Sequence, residues 1–74
     1  MSPDRLSRVL AATRRYETAQ AAWVAASEHF QRVQAARCCA TAEEQRLALE
    51  RLRDAWVEYL DAVDARDDLA VEAA

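Results

Sequence analysis

The chain has 74 residues, which leaves room for one domain and for no second one. It contains no Gly and a single Pro, and β-branched residues are scarce, so a β-rich or loop-rich fold is excluded. Disorder is also excluded, because 53% of the residues are hydrophobic and the formal net charge is only −3. The composition therefore predicts an all-α fold.

The first helix is predicted to run from about residue 3 to about residue 38. Ser2 can cap its free amides, Pro3 suits the first helical position, and Asp4 suits the positive end of the helix dipole. Large side chains repeat every seven residues: Val9, Tyr16, Trp23 and Phe30. A row of smaller side chains follows three residues later: Ala12, Ala19, Ala26 and Val33. This alternation of size predicts a packed helix seam.

A turn is expected at about residues 39–41, followed by a second helix over about residues 42–72. Thr41 and Glu44 have the spacing of a capping box, with Thr41 as the N-cap. No Gly is present to end the first helix, so the turn must be tight or partly 3₁₀. The second helix has its own stripe of large residues: Leu49, Leu52, Trp56 and Val63. If the seven-residue spacing of the first helix is continued beyond Phe30, the next four positions that it reaches are all charged. One continuous helix would therefore lose its apolar stripe, so the chain is expected to fold back.

In an antiparallel hairpin the two halves would place their large residues side by side, and their net charges are opposite. If the turn centres near Ala40, Trp23 falls opposite Trp56 and Tyr16 falls opposite Val63. Residues 1–40 carry six arginines and three acids, whereas residues 41–74 carry four arginines and ten acids. The sequence thus predicts one domain over residues 1–74, an antiparallel two-helix hairpin of the coiled-coil type. Its predicted core and assembly residues are Val9, Tyr16, Trp23, Phe30, Leu49, Leu52, Trp56 and Val63.

A hairpin of this size leaves apolar side chains uncovered, because two helices share a single seam. The residues expected to meet an oligomer or a partner lie off the main stripes: Leu6, Leu10, Ala22, Val24 and Leu60. We expect self-association into a homodimer, with two hairpins forming a four-helix bundle. The alternative is a complex with a helix of another protein.

Acidic residues follow the second helix away from its apolar stripe: Asp54, Glu58, Asp61 and Asp68. They are either a solvated outer face or a docking face for a basic partner.

No residue pattern points to catalysis, a cofactor or a metal site. His29 precedes the adjacent pair Cys38 and Cys39, but there is no Cys-x-x-Cys spacing. We expect the cysteines to be small reduced residues near the turn, with a redox role as the alternative. The chain has no Gly-rich phosphate loop and no set of Ser, His and Asp that could converge. We therefore predict that it is not an enzyme.

The leading prediction is a small dimeric helical adaptor, inhibitor or regulator that acts by helix packing. In pattern, the architecture resembles Rop-type helical hairpins and other small regulatory hairpins of bacteria. The alternative is a nucleic-acid-binding hairpin that uses arginines of the first helix, with Arg8 and Arg15 as the residues to test. No apolar run of signal-peptide or membrane-span length occurs, so we expect no membrane contact and a cytoplasmic location.

Overall fold

A computed structural model describes residues 3–36 and 38–73 and shows two helices packed side by side. Helix α1 spans Pro3–Ala35 and helix α2 spans Ala42–Ala73. The hairpin is a rod of 55 × 15 × 14 Å. In the described part of the chain there is no strand, so the prediction of an all-α hairpin is confirmed. Ser2 and Arg37 lie outside the described residues.

The turn between the helices closes without a glycine. Helix α1 ends at Ala35, earlier than the expected residue 38. The Ala36 carbonyl accepts hydrogen bonds from the amides of Cys39 at 2.8 Å and Ala40 at 3.0 Å. The Glu44 amide donates to Thr41 Oγ1 at 3.1 Å, which caps α2 as the capping box predicts. No described residue has a positive φ, because carbonyl and side-chain bonds close the turn instead.

The seam of α1 follows the stripe expected from the sequence. Val9, Tyr16, Trp23 and Phe30 are half-buried, and Ala19 beside them is buried. The seam of α2 is shifted by one position along the chain from the expected stripe of Leu49, Trp56 and Val63. It is built by two rows spaced at seven, which are Ala48, Ala55, Ala62 and Leu69, and Leu52 and Tyr59.

Leu49 and Trp56, predicted as core and assembly residues, do not lie in the core of the hairpin, where each is 43% exposed; their part in assembly stays a prediction. One residue corresponds to about 100° around a helix, so these two side chains flank the seam instead of filling it. Val63, also expected in the core, is half-buried at the same flank. Alanines take the positions of closest approach because they let the two backbones come near each other.

The seam has two layers of different size. One layer, which we call the alanine layer, contains the residues that the hairpin buries: Ala19, Ala48 and Ala62. The other, the aromatic layer, consists of Tyr16, Trp23 and Tyr59, which remain half-buried. No large side chain among the described residues is fully buried. The hairpin alone thus covers its small residues and leaves its large ones partly open to solvent.

Candidate docking face

The aromatic layer is a cluster of rings shared by both helices. The Trp23 ring centroid lies 5.4 Å from that of Trp56 and 5.8 Å from that of Tyr59. Tyr16 and Tyr59 are 5.7 Å apart, and the Arg66 guanidinium lies 4.1 Å from the centre of the Tyr16 ring. These separations are those of interacting aromatic and cation–π pairs. Trp23 therefore lies beside Trp56, as the hairpin pairing predicts.

The two tyrosines of this layer are also linked through their hydroxyl groups. A hydrogen bond with Tyr16 raises the pKa of Tyr59 above its ordinary value, and desolvation acts in the same direction. Arg66 opposes this rise of the pKa, since a nearby cation favours the phenolate. Tyr59 lies seven residues after Leu52 on the apolar stripe of the second helix, although it was not among the predicted core residues.

One broad side of the hairpin, next to the aromatic layer, collects exposed apolar side chains from both helices. Helical spacing places six of them here: Leu6, Leu10, Val24, Leu49, Trp56 and Leu60. We call this set the apolar face. Each of these side chains is between 42% and 51% exposed. Val57 and Val71 are also exposed but lie on the outer surface of α2, away from this face. Leu47 is exposed as well, on the opposite side of the hairpin, where it lines a groove with His29 and Arg51.

Open grooves run over the seam on this side. The larger one, of about 400 Å³, is lined by Trp23, Ser27, Leu52, Arg53 and Trp56. A second groove of about 270 Å³ lies near the open end of the hairpin, between Val9 and Leu69. Both have mainly apolar walls, with a few polar groups at their edges. Such a surface suits the side chains of another helix better than a small polar substrate.

The opposite broad side, next to the alanine layer, carries ion pairs between the helices. Arg15 binds Glu58 through two hydrogen bonds, at 2.7 Å from Nε and 3.1 Å from Nη2. Nearer the open end, Arg8 lies 3.6 Å from a Glu72 carboxylate oxygen. We call these four residues the ionic face. The hydrogen bond and the charge of Arg15 lower the pKa of Glu58, and the same contact raises the pKa of Arg15.

These pairs bear on the nucleic-acid alternative. Both arginines that would contact phosphate, Arg8 and Arg15, already have a carboxylate partner on α2. A phosphate would have to displace that carboxylate and approach a surface lined by acids. The ionic face therefore favours a role in holding the two helices in register.

The other predicted site residues separate between the two broad sides. Ala22, expected to share a face with Val24, lies on the ionic side and lines a groove with His29 and Arg51. The acidic residues Asp54, Asp61 and Asp68 are exposed along the outer edge of that side. Glu58, grouped with them in the sequence, is the partner of Arg15. A docking role for the three remaining acids stays a prediction.

Cys38 and Cys39 lie at the tip of the turn. Both are exposed, and their sulfur atoms are 3.4 Å apart. His29 and Cys39 line one groove of about 240 Å³ beside the turn. Within residues 3–36 and 38–73, no three side chains of His, Cys, Asp or Glu are grouped so as to hold a metal ion. In the same ranges, neither helix has a long enough apolar stretch to cross a membrane.

Two surfaces thus distinguish the hairpin: the apolar face, which lies beside the aromatic layer, and the ionic face, where ion pairs join the two helices. On the first, large apolar side chains are partly exposed, whereas on the second the charged side chains are paired within one chain. Comparison with known proteins found no matching family model, no matching curated protein and no matching solved structure.

Proposed function

We propose that the protein is a non-catalytic interaction module whose working form is a homodimer. In this proposal two hairpins pack through their apolar faces and form a four-helix bundle. The module then acts as a small adaptor, inhibitor or regulator through the helical surfaces that the bundle presents. The observation that carries the proposal is that six exposed large apolar side chains share one side of the hairpin, whereas Leu47, Val57 and Val71 are spread over the rest of its surface.

The burial pattern supports a second layer of helices over the apolar face. The hairpin buries alanines and leaves its aromatic residues half-covered. Burying a large apolar side chain stabilises a fold more than burying a small one, because each Å² of apolar surface removed from water contributes about 25 cal/mol. A second copy placed over Trp23, Trp56 and Tyr59 would complete their burial.

The solvent-exposed area of the hairpin also supports a second copy of the chain as the partner on the apolar face. The chain exposes 5545 Å² as a single hairpin. A compact monomer of this mass exposes about 4,600 Å², and the excess is therefore roughly 1,000 Å². A standard protein interface buries about 800 Å² on each partner. One interface with a second copy accounts for an excess of this size.

Charge supports pairing through the apolar face and not through the ionic face. Arg15 and Glu58 satisfy each other within one chain, and Arg8 and Glu72 do the same. Burying these four charges between two copies would remove them from water at a large cost. In the proposed bundle the ionic faces and the acids beside them point outward, where a further partner could contact them.

The experiment compares two valine-to-glutamate variants by size-exclusion chromatography with light scattering. Val24 belongs to the apolar face, and Val57 is an exposed valine on the outer surface of α2, so Val57→Glu is the matched control. Wild type and Val57→Glu should have the mass of two chains. Val24→Glu should shift to one chain, with dimerisation at least about tenfold weaker, because an unpaired charge is costly in an apolar interface.

Helicity measured by circular dichroism separates loss of assembly from loss of folding in these samples. A wild-type mass of one chain would contradict the homodimer and leave a partner helix of another protein as the occupant. Equal two-chain masses for all three proteins would place the interface elsewhere on the hairpin.

A further inference from the structure

The turn brings together two thiols that neither the seam nor the docking face uses. Cys38 and Cys39 are both exposed, and their Sγ atoms lie 3.4 Å apart. The turn fixes this pair through its backbone, since the Cys39 amide donates to the Ala36 carbonyl at 2.8 Å. The two sulfur atoms therefore face solvent together, at the contact distance that two ligands of one small centre adopt.

The number of ligands limits what this pair can bind. Zinc in proteins takes three or four protein ligands, and no third residue of a suitable kind joins the cysteines among the described residues. Thiolates prefer soft centres. A centre that accepts two thiolates and brings its own third ligand fits the pair, and trivalent organic arsenic has this property. Its pyramidal geometry places the two sulfur atoms close together on one side of the arsenic.

We propose that Cys38 and Cys39 form a dithiol site for trivalent organic arsenicals. In water the arsenical is R–As(OH)₂, and each thiol replaces one hydroxide. Two As–O bonds break and two As–S bonds form, and the two thiol protons leave with the hydroxides as two water molecules. Arsenic stays trivalent and the sulfur atoms are not oxidised, so the step needs no oxidant or reductant.

The groove beside Cys39 offers a place for the organic substituent R. Its volume is about 240 Å³, and its walls include Val33, Ala36 and Ala40. His29, Arg32 and Glu44 line the rest of the groove, and its aliphatic part suits an aryl or alkyl group. The site lies at the tip of the rod, away from the apolar face, so it is independent of the proposed dimer.

The test uses phenylarsine oxide and the reduced 74-residue chain, followed by intact mass spectrometry. We expect one phenylarsenic group per chain with loss of two hydrogen atoms. Excess 2-mercaptoethanol, a monothiol, should leave the adduct in place, whereas dithiothreitol should remove it. Cys38→Ser and Cys39→Ser should each bind at least about tenfold more weakly in the presence of the monothiol, because the second bond is no longer intramolecular.

A matched control keeps two thiols but separates them. The double variant Cys39→Ser with Val57→Cys moves one thiol to an exposed position on α2 and should lose the resistance to monothiol. If it or a single-cysteine variant holds the arsenical as firmly as wild type, the dithiol site is refuted. An adduct that links two chains would also overturn it, since the sulfur atoms would then come from different copies.

Discussion

The two broad sides of the hairpin flank the same seam and yet have opposite chemistry. The ionic face joins the helices through Arg15–Glu58 and Arg8–Glu72 and stays hydrated. The apolar face leaves side chains such as Leu10 and Trp56 roughly half exposed over a floor of aromatic rings. The difference teaches that ion pairs link the two helices on one side only, and it is the basis of our proposal that a second copy covers the other side.

The layers of the seam follow the same asymmetry. Alanines lie toward the ionic face, where the grooves are lined by Ala26 and Ala55 with Arg51. Trp23 and Leu52 lie toward the apolar face and line its largest groove. The small side chains of the seam therefore lie toward the ionic side and the large ones toward the apolar side. Substitutions across the molecule, from the apolar to the ionic side, should have decreasing effects on stability.

The largest effect is expected at Trp23, under the apolar face. Trp23→Ala removes the ring that contacts both Trp56 and Tyr59, so it should lower the free energy of unfolding by about 3 kcal/mol. Guanidinium unfolding followed by circular dichroism, at one fixed protein concentration, measures this change. The control Val57→Ala should stay within about 0.5 kcal/mol of wild type. Equal guanidinium unfolding midpoints for the two variants would show that the aromatic layer does not stabilise the fold.

A smaller effect is expected in the alanine layer. Ala62 is 0% exposed, so Ala62→Leu should push the helices apart and lower the free energy of unfolding by about 1–3 kcal/mol. Ala11→Leu is the matched control because Ala11 is exposed on α1. Thermal unfolding of both variants distinguishes them, and an unchanged Ala62→Leu protein would show that the helices do not meet closely there.

The smallest effect is expected on the ionic face. Arg15→Gln removes the hydrogen bonds that lower the Glu58 pKa, so this pKa should return toward its ordinary value of 4.5. A carboxyl group with a lowered folded-state pKa stabilises the fold above its unfolded pKa. That stabilisation is lost as the pH falls through the folded pKa. The effect on stability should be small, because exposed ion pairs contribute little.

Carboxyl NMR titration of wild type and Arg15→Gln follows the Glu58 pKa directly. Arg8→Gln serves as the control, since Arg8 pairs with Glu72 and should leave the Glu58 titration in place. A Glu58 titration that is the same in Arg15→Gln and in wild type would show that the bidentate pair does not persist in solution.

Much of the fold could be predicted from local signals in the sequence. The stripe of α1 stands out because large and small residues alternate at fixed spacing, with Tyr16 and Trp23 at its centre. The start of α2 follows from Thr41 and Glu44, whose capping bond is present. The pairing of the two tryptophans follows from the position of the turn.

The seam of α2 could not be predicted in the same way, because size alone does not say which stripe faces α1. Two neighbouring stripes on α2 are both apolar, one with Leu49 and Trp56 and the other with Ala48 and Ala62. Side-chain size favours the stripe with Leu49 and Trp56 as the core, whereas the close approach of two helices favours the stripe with the alanines. The separation of Ala22 from Val24 was missed for a similar reason, since a helix segment without charge looks apolar on every side.

Our central proposal is that a second copy of the chain covers the apolar face, and a dilution series tests this most directly. Sedimentation equilibrium gives the mass of the wild-type protein at each concentration, and circular dichroism gives its helicity. We predict two chains at high concentration, with mass and helicity falling together on dilution because the lone hairpin cannot bury its aromatic residues. A fully helical protein with the mass of one chain at every concentration would contradict the account.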